Sequence, residues 1–157
     1  MIRVALSLVL LYAFLPSTAA QVRVIIPLQS FHVNDKIPAK VENASSEPVT
    51  LCLEIGQRST KGTTIEATPV PFIVQASSEG RWHTLLIGPD VGSLRRPVVL
   101  EPGKSDEFPF RLSVPGVMRL LAEYWTGPNS GLDCSIPPKH SHKVKSKSFT
   151  ILMTAGD

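Results

Sequence analysis

Two histidines one residue apart, His140 and His142, are the side chains of this sequence best spaced to hold a metal ion. On a strand the intervening Ser141 points the other way, so both imidazoles share a side, with Asp133 or Cys134 a nearby third donor. Imidazole together with thiolate suits zinc or copper. The set is incomplete, because a zinc site takes three or four protein ligands and a cysteine held in a disulfide cannot ligate. The expectation is no bound metal and no cofactor, with His140 and His142 as the candidates in the alternative reading of a periplasmic metal-binding protein.

Other chemistry finds less support. Serine, histidine and aspartate are present, but no Gly-x-Ser-x-Gly elbow and no His-Glu-x-x-His helix sets a nucleophile or metal beside a base. Asp106 and Glu107 are adjacent at the start of a strand and project to opposite faces, so they do not form a working carboxylate pair. No Gly-x-x-x-x-Gly-Lys phosphate loop occurs. The chain is expected to have no catalytic residues and not to be an enzyme. Trp82 and Trp125 could anchor a ligand surface, although core packing is the commoner role for a tryptophan in a β-sandwich. Asn43-Ala44-Ser45 fits a glycan sequon and is read as a bare turn.

The elements that would position these residues begin with a leader. Arg3, the apolar run Val4 to Leu15, and the small residues up to Ala20 form a secretory signal, with Gln21 as the expected mature N-terminus and cleavage after Ala19 as the near alternative. The run rises only ~18 Å as a helix, short of a ~30 Å hydrocarbon core, so no membrane span is expected after cleavage. No lipobox cysteine follows it. The protein is therefore expected to be secreted or periplasmic. Residues 21–157 then form one domain, large enough for a core of its own.

The net charge of +3 falls by one with the loss of Arg3 and excludes neither fold nor function, but it argues against nucleic acid or membrane as a partner. Lys139, Lys143, Lys145 and Lys147 gather late, and without interleaved aromatics they read as a solvated hairpin edge that deters edge-to-edge pairing. Cys52 and Cys134 are the only cysteines, and an oxidising compartment favours one disulfide between them. Closing a loop of 82 residues is worth roughly 4–5 kcal/mol in the chain-entropy model. The alternative is a strand thiol at Cys52 and a separate loop thiol at Cys134, since spacing alone does not show that the two Cα atoms meet.

Strand signals fill the rest. Val49, Leu51, Leu53 and Ile55 alternate with polar residues, as do Phe108, Phe110 and Leu112. Val117 to Tyr124 alternates as well, after a Val114-Pro115-Gly116 turn. Further strands are expected near 22–26, 37–42, 71–75 and 81–86, and one at 144–153. Glu101-Pro102-Gly103-Lys104 and Ser77-Ser78-Glu79-Gly80 are turns, and Asn34-Asp35 is another. Gly56–Pro69, Gly88–Pro97 and Gly127–Lys139 read as long loops, the first with a short strand at 63–67. Fourteen prolines and ten glycines oppose long helices. The fold class is all-β, an antiparallel sandwich.

In order along the chain, Asn34-Asp35-Lys36-Ile37 with Asn43-Ala44-Ser45, Gly80-Arg81-Trp82, Leu100-Glu101-Pro102-Gly103-Lys104-Ser105 and Pro115-Gly116-Val117-Met118-Arg119 resemble bacterial immunoglobulin-like domains. The family often has tyrosine between the last glycine and arginine, where this chain has Val117-Met118. The resemblance implies an immunoglobulin-like sandwich of about seven strands on a secreted or surface protein, with no general activity. A looser similarity links the chain to the bacterial intracellular proteinase inhibitor sandwich. The function expected is non-catalytic binding or structural support at the cell envelope, by a monomer with an unidentified protein or surface partner. The binding surface is expected on the loops Gly56–Pro69 and Gly127–Lys139. The alternative of a proteinase inhibitor would use Arg95-Arg96 as a basic bait.

Overall fold

Thirteen strands make up the regular structure of the computed structural model, which describes residues 22–55, 57–60, 63–66, 69–85, 94–128, 134 and 140–154. The expected signal segment lies outside the described residues. In chain order the strands are β1 (Val22–Ile25), β2 (Ser30–His32), β3 (Ile37–Asn43), β4 (Val49–Ile55), β5 (Gln57–Thr60), β6 (Thr63–Glu66) and β7 (Phe72–Ser78). They continue with β8 (Arg81–Leu85), β9 (Leu94–Leu100), β10 (Ser105–Phe110), β11 (Gly116–Thr126), β12 (His142–Lys145) and β13 (Phe149–Leu152).

Two sheets face each other. The small one is ordered β1-β3-β10, and the large one carries β2-β13-β11-β4-β9, with β12 and the β7-β8 hairpin also joined through β11. The β5-β6 hairpin stands as a separate pair. The opening of the described chain divides between the layers: β1 runs antiparallel to β3, and β2 crosses to run parallel to β13. Alternation decides what each strand buries. Ile37, Ala39 and Val41 of β3 and Phe108 of β10 face Leu51, Val74, Met118, Leu120, Phe149 and Ile151 from the large sheet, all buried. Phe72 and Phe110 meet edge to face across this core at 5.2 Å between centroids.

The turns follow their residues. Gly103 has φ +71° behind Pro102, and the Lys104 N–H donates to Glu101 O at 3.0 Å, a type II turn. Glu79 and Gly80, at φ +51° and +73°, make the type I′ turn between β7 and β8. Asn34 at φ +66° completes a turn in which the Asp35 carboxylate accepts the His32 N–H at 2.7 Å.

Three expectations need correction. The segment Gly88–Pro97 is not loop throughout, because β9 begins at Leu94 and takes in Arg95, Arg96 and Pro97 opposite Glu54, Leu53 and Cys52. Among the described residues of the large sheet β9 pairs only β4, so the missing N–H of Pro97 breaks no second ladder there. The closing strand is two strands, divided at Ser146-Lys147-Ser148. There the Ser146 hydroxyl accepts the Leu120 N–H at 2.9 Å and so stands in for the interrupted ladder. The strand number, about seven in the expectation, is larger: the closing strand divides in two, and the short strands β2 and β5 are added.

Asn43 locks one end of the sandwich. It is 0% exposed, donates from Nδ2 to Glu47 O at 2.8 Å and to Leu100 O at 2.9 Å, and accepts on Oδ1 from Ser45 N and Ser45 Oγ. Its backbone closes on the type II turn through Gly103 N and Lys104 O. The Asn43-Ala44-Ser45 turn and the Pro102-Gly103 turn, far apart in sequence, are thus one bonded unit.

Candidate functional site

Period-two alternation sends Met118, Leu120, Ala122 and Tyr124 of β11 into the core, and Val117, Arg119, Leu121, Glu123 and Trp125 to the outer face of the large sheet. An outward tryptophan at the end of a strand would be expected to stand in water. Trp125 is instead only 5% exposed, and it is buried apart from the cluster that fills the space between the sheets. It lines a pocket on the outer side. Cys52 also points outward from β4, and it is bonded to Cys134 with a Cα–Cα distance of 5.7 Å. The bridge fixes Cys134, itself buried, over the outer face.

Beside the bridge lies a pocket of about 100 Å³. Leu121, Glu123 and Trp125 line it from β11, Val70-Pro71 and Ile73 from the start of β7, and the Cys52–Cys134 bridge and Lys143 from the other sides. Its lining is mostly apolar, and Ile73 next to it is 43% exposed. Glu123 is held by a hydrogen bond from the Ser141 hydroxyl. Lys143 sits directly across from Glu123 in the β11-β12 register, is exposed, and makes no ion pair among the described residues.

Further along the same face Arg119 is clamped by two neutral partners. Its Nε donates to Gln75 Oε1 at 2.8 Å across the β7-β11 pair, and its guanidinium lies 4.1 Å from the ring centre of Trp82 on β8. Trp82 is half-buried on the surface and takes no part in the core, contrary to the packing role expected for it.

The other candidate residues fall elsewhere. His142 stacks on Tyr124 at 5.2 Å between centroids, on the opposite side of β12 from Lys143, and His140 is exposed before the strand. Cys134 is consumed by the disulfide, Asp133 lies outside the described residues, and no group of three metal-ligating side chains occurs among the described residues. Burial pushes the Tyr124 phenol above its ordinary value, and a backbone hydrogen bond with Val22 opposes the shift. Asp106 and Glu107 are successive exposed residues of β10, paired with Val41 and Lys40, and do not converge. Arg95-Arg96 belongs to a paired strand rather than a protruding loop. Most of Gly127–Lys139 lies outside the described residues, as do five residues of Gly56–Pro69. Of the expected binding loops, the part in view is chiefly the β5-β6 hairpin and the bridged Cys134.

Reading the sequence missed this face, although a signal was present. Tyr124 and Trp125 are consecutive on one strand, so one of them must leave the core, and Cys52 leaves it on the same side.

No helix among the described residues is long and apolar enough to cross a membrane. No protein-family model matches the sequence, and no curated protein matches it. Among solved structures it is similar to the sporulation control protein Spo0M from Bacillus subtilis, at a TM-score of 0.33 and 11% identity. The match covers 87% of this chain and 50% of that one, so the chain spans about half the length of Spo0M.

Proposed function

We propose that this chain is an exported, non-catalytic, immunoglobulin-like module that binds a protein partner at the cell envelope through the outer face of its large sheet. The reading is carried by one observation: the Cys52–Cys134 bridge and the buried Trp125 line one mostly apolar pocket on the outer face of the large sheet. A disulfide of this kind suits an oxidising compartment, in keeping with the leader read from Met1 to Ala20. The immunoglobulin-like assignment is supported by the division of β1 and β2 between the two sheets and by the parallel pairing of β2 with β13. Rigid strands under a framed pocket suit recognition, because the groups that meet the ligand are already ordered.

The test is site-specific photocrosslinking in envelope extracts of the producing cell. A photoreactive residue at Ile73 is expected to trap a discrete protein, and one at Glu107 on the small sheet is expected to trap none. Equal trapping from both sites, or none from Ile73, refutes the face. Terminal sequencing of the mature protein is expected to begin at Gln21; retention of Met1 refutes export by cleavage.

A further inference from the structure

We infer that the occupant of this face is an acidic, extended peptide segment of the partner protein, with an aliphatic side chain in the pocket and carboxylates on Arg119 and Lys145. The inference rests on the binding face proposed above and names the chemistry of what it takes.

Charge gives the first reason. On β7, β11 and β12 the outer face carries Arg119, Lys143 and Lys145 against a single carboxylate, Glu123, which is already engaged by Ser141. No carboxylate lies within ion-pair distance of the three cations among the described residues. Arg119 is the most telling of them. An arginine ordered by a carboxylate has its charge answered; Arg119 is ordered by an amide and an indole, both neutral. Among the described residues only its Nε hydrogen is used, so toward them the Nη hydrogens remain for a ligand in a fork already oriented for carboxylate. Ordering a cation without neutralising it is a disposition toward an anion.

Shape gives the second. A pocket of about 100 Å³ lined by Leu121, Ile73, Pro71 and the disulfide accepts a branched aliphatic side chain. It lies at the level of Glu123, four residues along β11 from Arg119, about 13 Å in an extended strand. Lys145 pairs with Leu121, midway between them. In an extended ligand alternate side chains face the same way, so an aliphatic residue followed at the second and fourth positions by acids meets the pocket, Lys145 and Arg119 in turn. Neither tryptophan serves an acidic glycan or a nucleic acid, since the ring of Trp82 already carries a guanidinium and Trp125 is buried.

The experiment titrates the isotope-labelled mature protein with synthetic peptides and follows amide resonances. The probe holds leucine and two glutamates at alternate positions, in both chain directions. One control replaces both glutamates by lysine, and a second replaces the leucine by serine. Expected are shifts confined to β7, β11 and β12, binding by the probe that weakens with added salt, and about tenfold weaker binding by each control. Arg119→Gln and Lys145→Glu are each expected to weaken the probe about tenfold, while Lys40→Glu on the small sheet leaves it unchanged.

Failure of the probe in both directions overturns the inference, as does binding indifferent to Arg119→Gln and Lys145→Glu. Tighter binding of polygalacturonate at the same resonances also overturns it, in favour of a glycan. Crosslinking at Ile73 separates the levels: if it persists while the probe fails, the partner's chemistry is wrong and the face stands. If both fail, the face itself is refuted.

Discussion

Exchanging Asn43 for aspartate keeps the shape of the side chain and reverses half of its hydrogen bonding. Oδ1 still accepts from Ser45 N at 3.0 Å and Ser45 Oγ at 2.6 Å. The second terminal atom, now an oxygen, faces the carbonyls of Glu47 and Leu100 at the 2.8 and 2.9 Å formerly spanned by donated hydrogens. Two bonds become two repulsions at a site with no exposure to water. Losing the pair and burying a charge with one oxygen facing two carbonyls costs about 3–5 kcal/mol at neutral pH. Asn43→Ala removes all four bonds without adding charge and costs about 2–4 kcal/mol. Both are large fractions of the ~5–15 kcal/mol that holds a domain together. Burial and the two facing carbonyls raise the folded-state pKa of the new carboxyl, against the two donors kept from Ser45. In the folded state its neutral form is therefore favoured already above the unfolded value near 4, so the aspartate variant regains part of the loss as pH falls through the raised folded value, and the regain is complete below about 4. The assay is urea unfolding followed by tryptophan fluorescence at pH 7 and pH 4.5, comparing midpoints at constant slope. If Asn43 merely shapes a turn, aspartate serves as well, because both residues make Asx-turns. An Asn43→Asp variant within about 0.5 kcal/mol of the parent at pH 7 refutes the reasoning.

Reduction of Cys52–Cys134, or Cys52→Ala with Cys134→Ala, is expected to cost roughly 4–5 kcal/mol and to red-shift tryptophan emission as Trp125 loses its cover. Unchanged emission from the folded double variant contradicts a role for the bridge in shielding that ring. Glu79 occupies a left-handed conformation at φ +51° in a type I′ turn, so Glu79→Asn is expected to stabilise by about 0.5–1 kcal/mol, read as a raised melting temperature. The raised pKa of Tyr124 means that the folded state holds its phenolic proton more tightly than the unfolded chain. Its contribution is complete below the unfolded value near 10 and is lost as pH rises through the folded value. Tyr124→Phe is expected to flatten that alkaline loss in unfolding titrations from pH 8 to 11; an unchanged profile assigns the loss to other groups.

Period-two alternation made much of the fold readable, because a half-buried strand writes its burial into every second residue. The strand from Val49 to Ile55 has the bounds read from its sequence, and Pro102-Gly103 and Glu79-Gly80 turn where residue chemistry requires. Reading failed where a side chain or a sheet edge overrides local preference. Leu94-Arg95-Arg96-Pro97 carries a breaker and two charges, yet its pairing with β4 needs no N–H from Pro97 on a second side. Val144 to Met153 reads as one strand, and only the contact of Ser146 with Leu120 shows why the chain leaves the ladder and rejoins it.

The candidate site was less legible for a different physical reason. Alternation tells which residues leave the core, but not what they meet outside it. Arg119, Leu121, Glu123 and Trp125 form an ordinary outward row until the register sets Gln75 and Ile73 beside them on one flank and Lys145 and Lys143 on the other. These partners come from segments far apart in the chain, and no local pattern names them. Cys52 and Cys134 are the exception, since a disulfide is a long-range contact that composition can announce. Joined to the rule that Tyr124 and Trp125 must face opposite ways, the bridge and a buried tryptophan fall on the same outer face. What the covalent link adds is rigidity: a pocket wall tied to β4 keeps its shape when empty, so a ligand need not supply the ordering entropy of that wall.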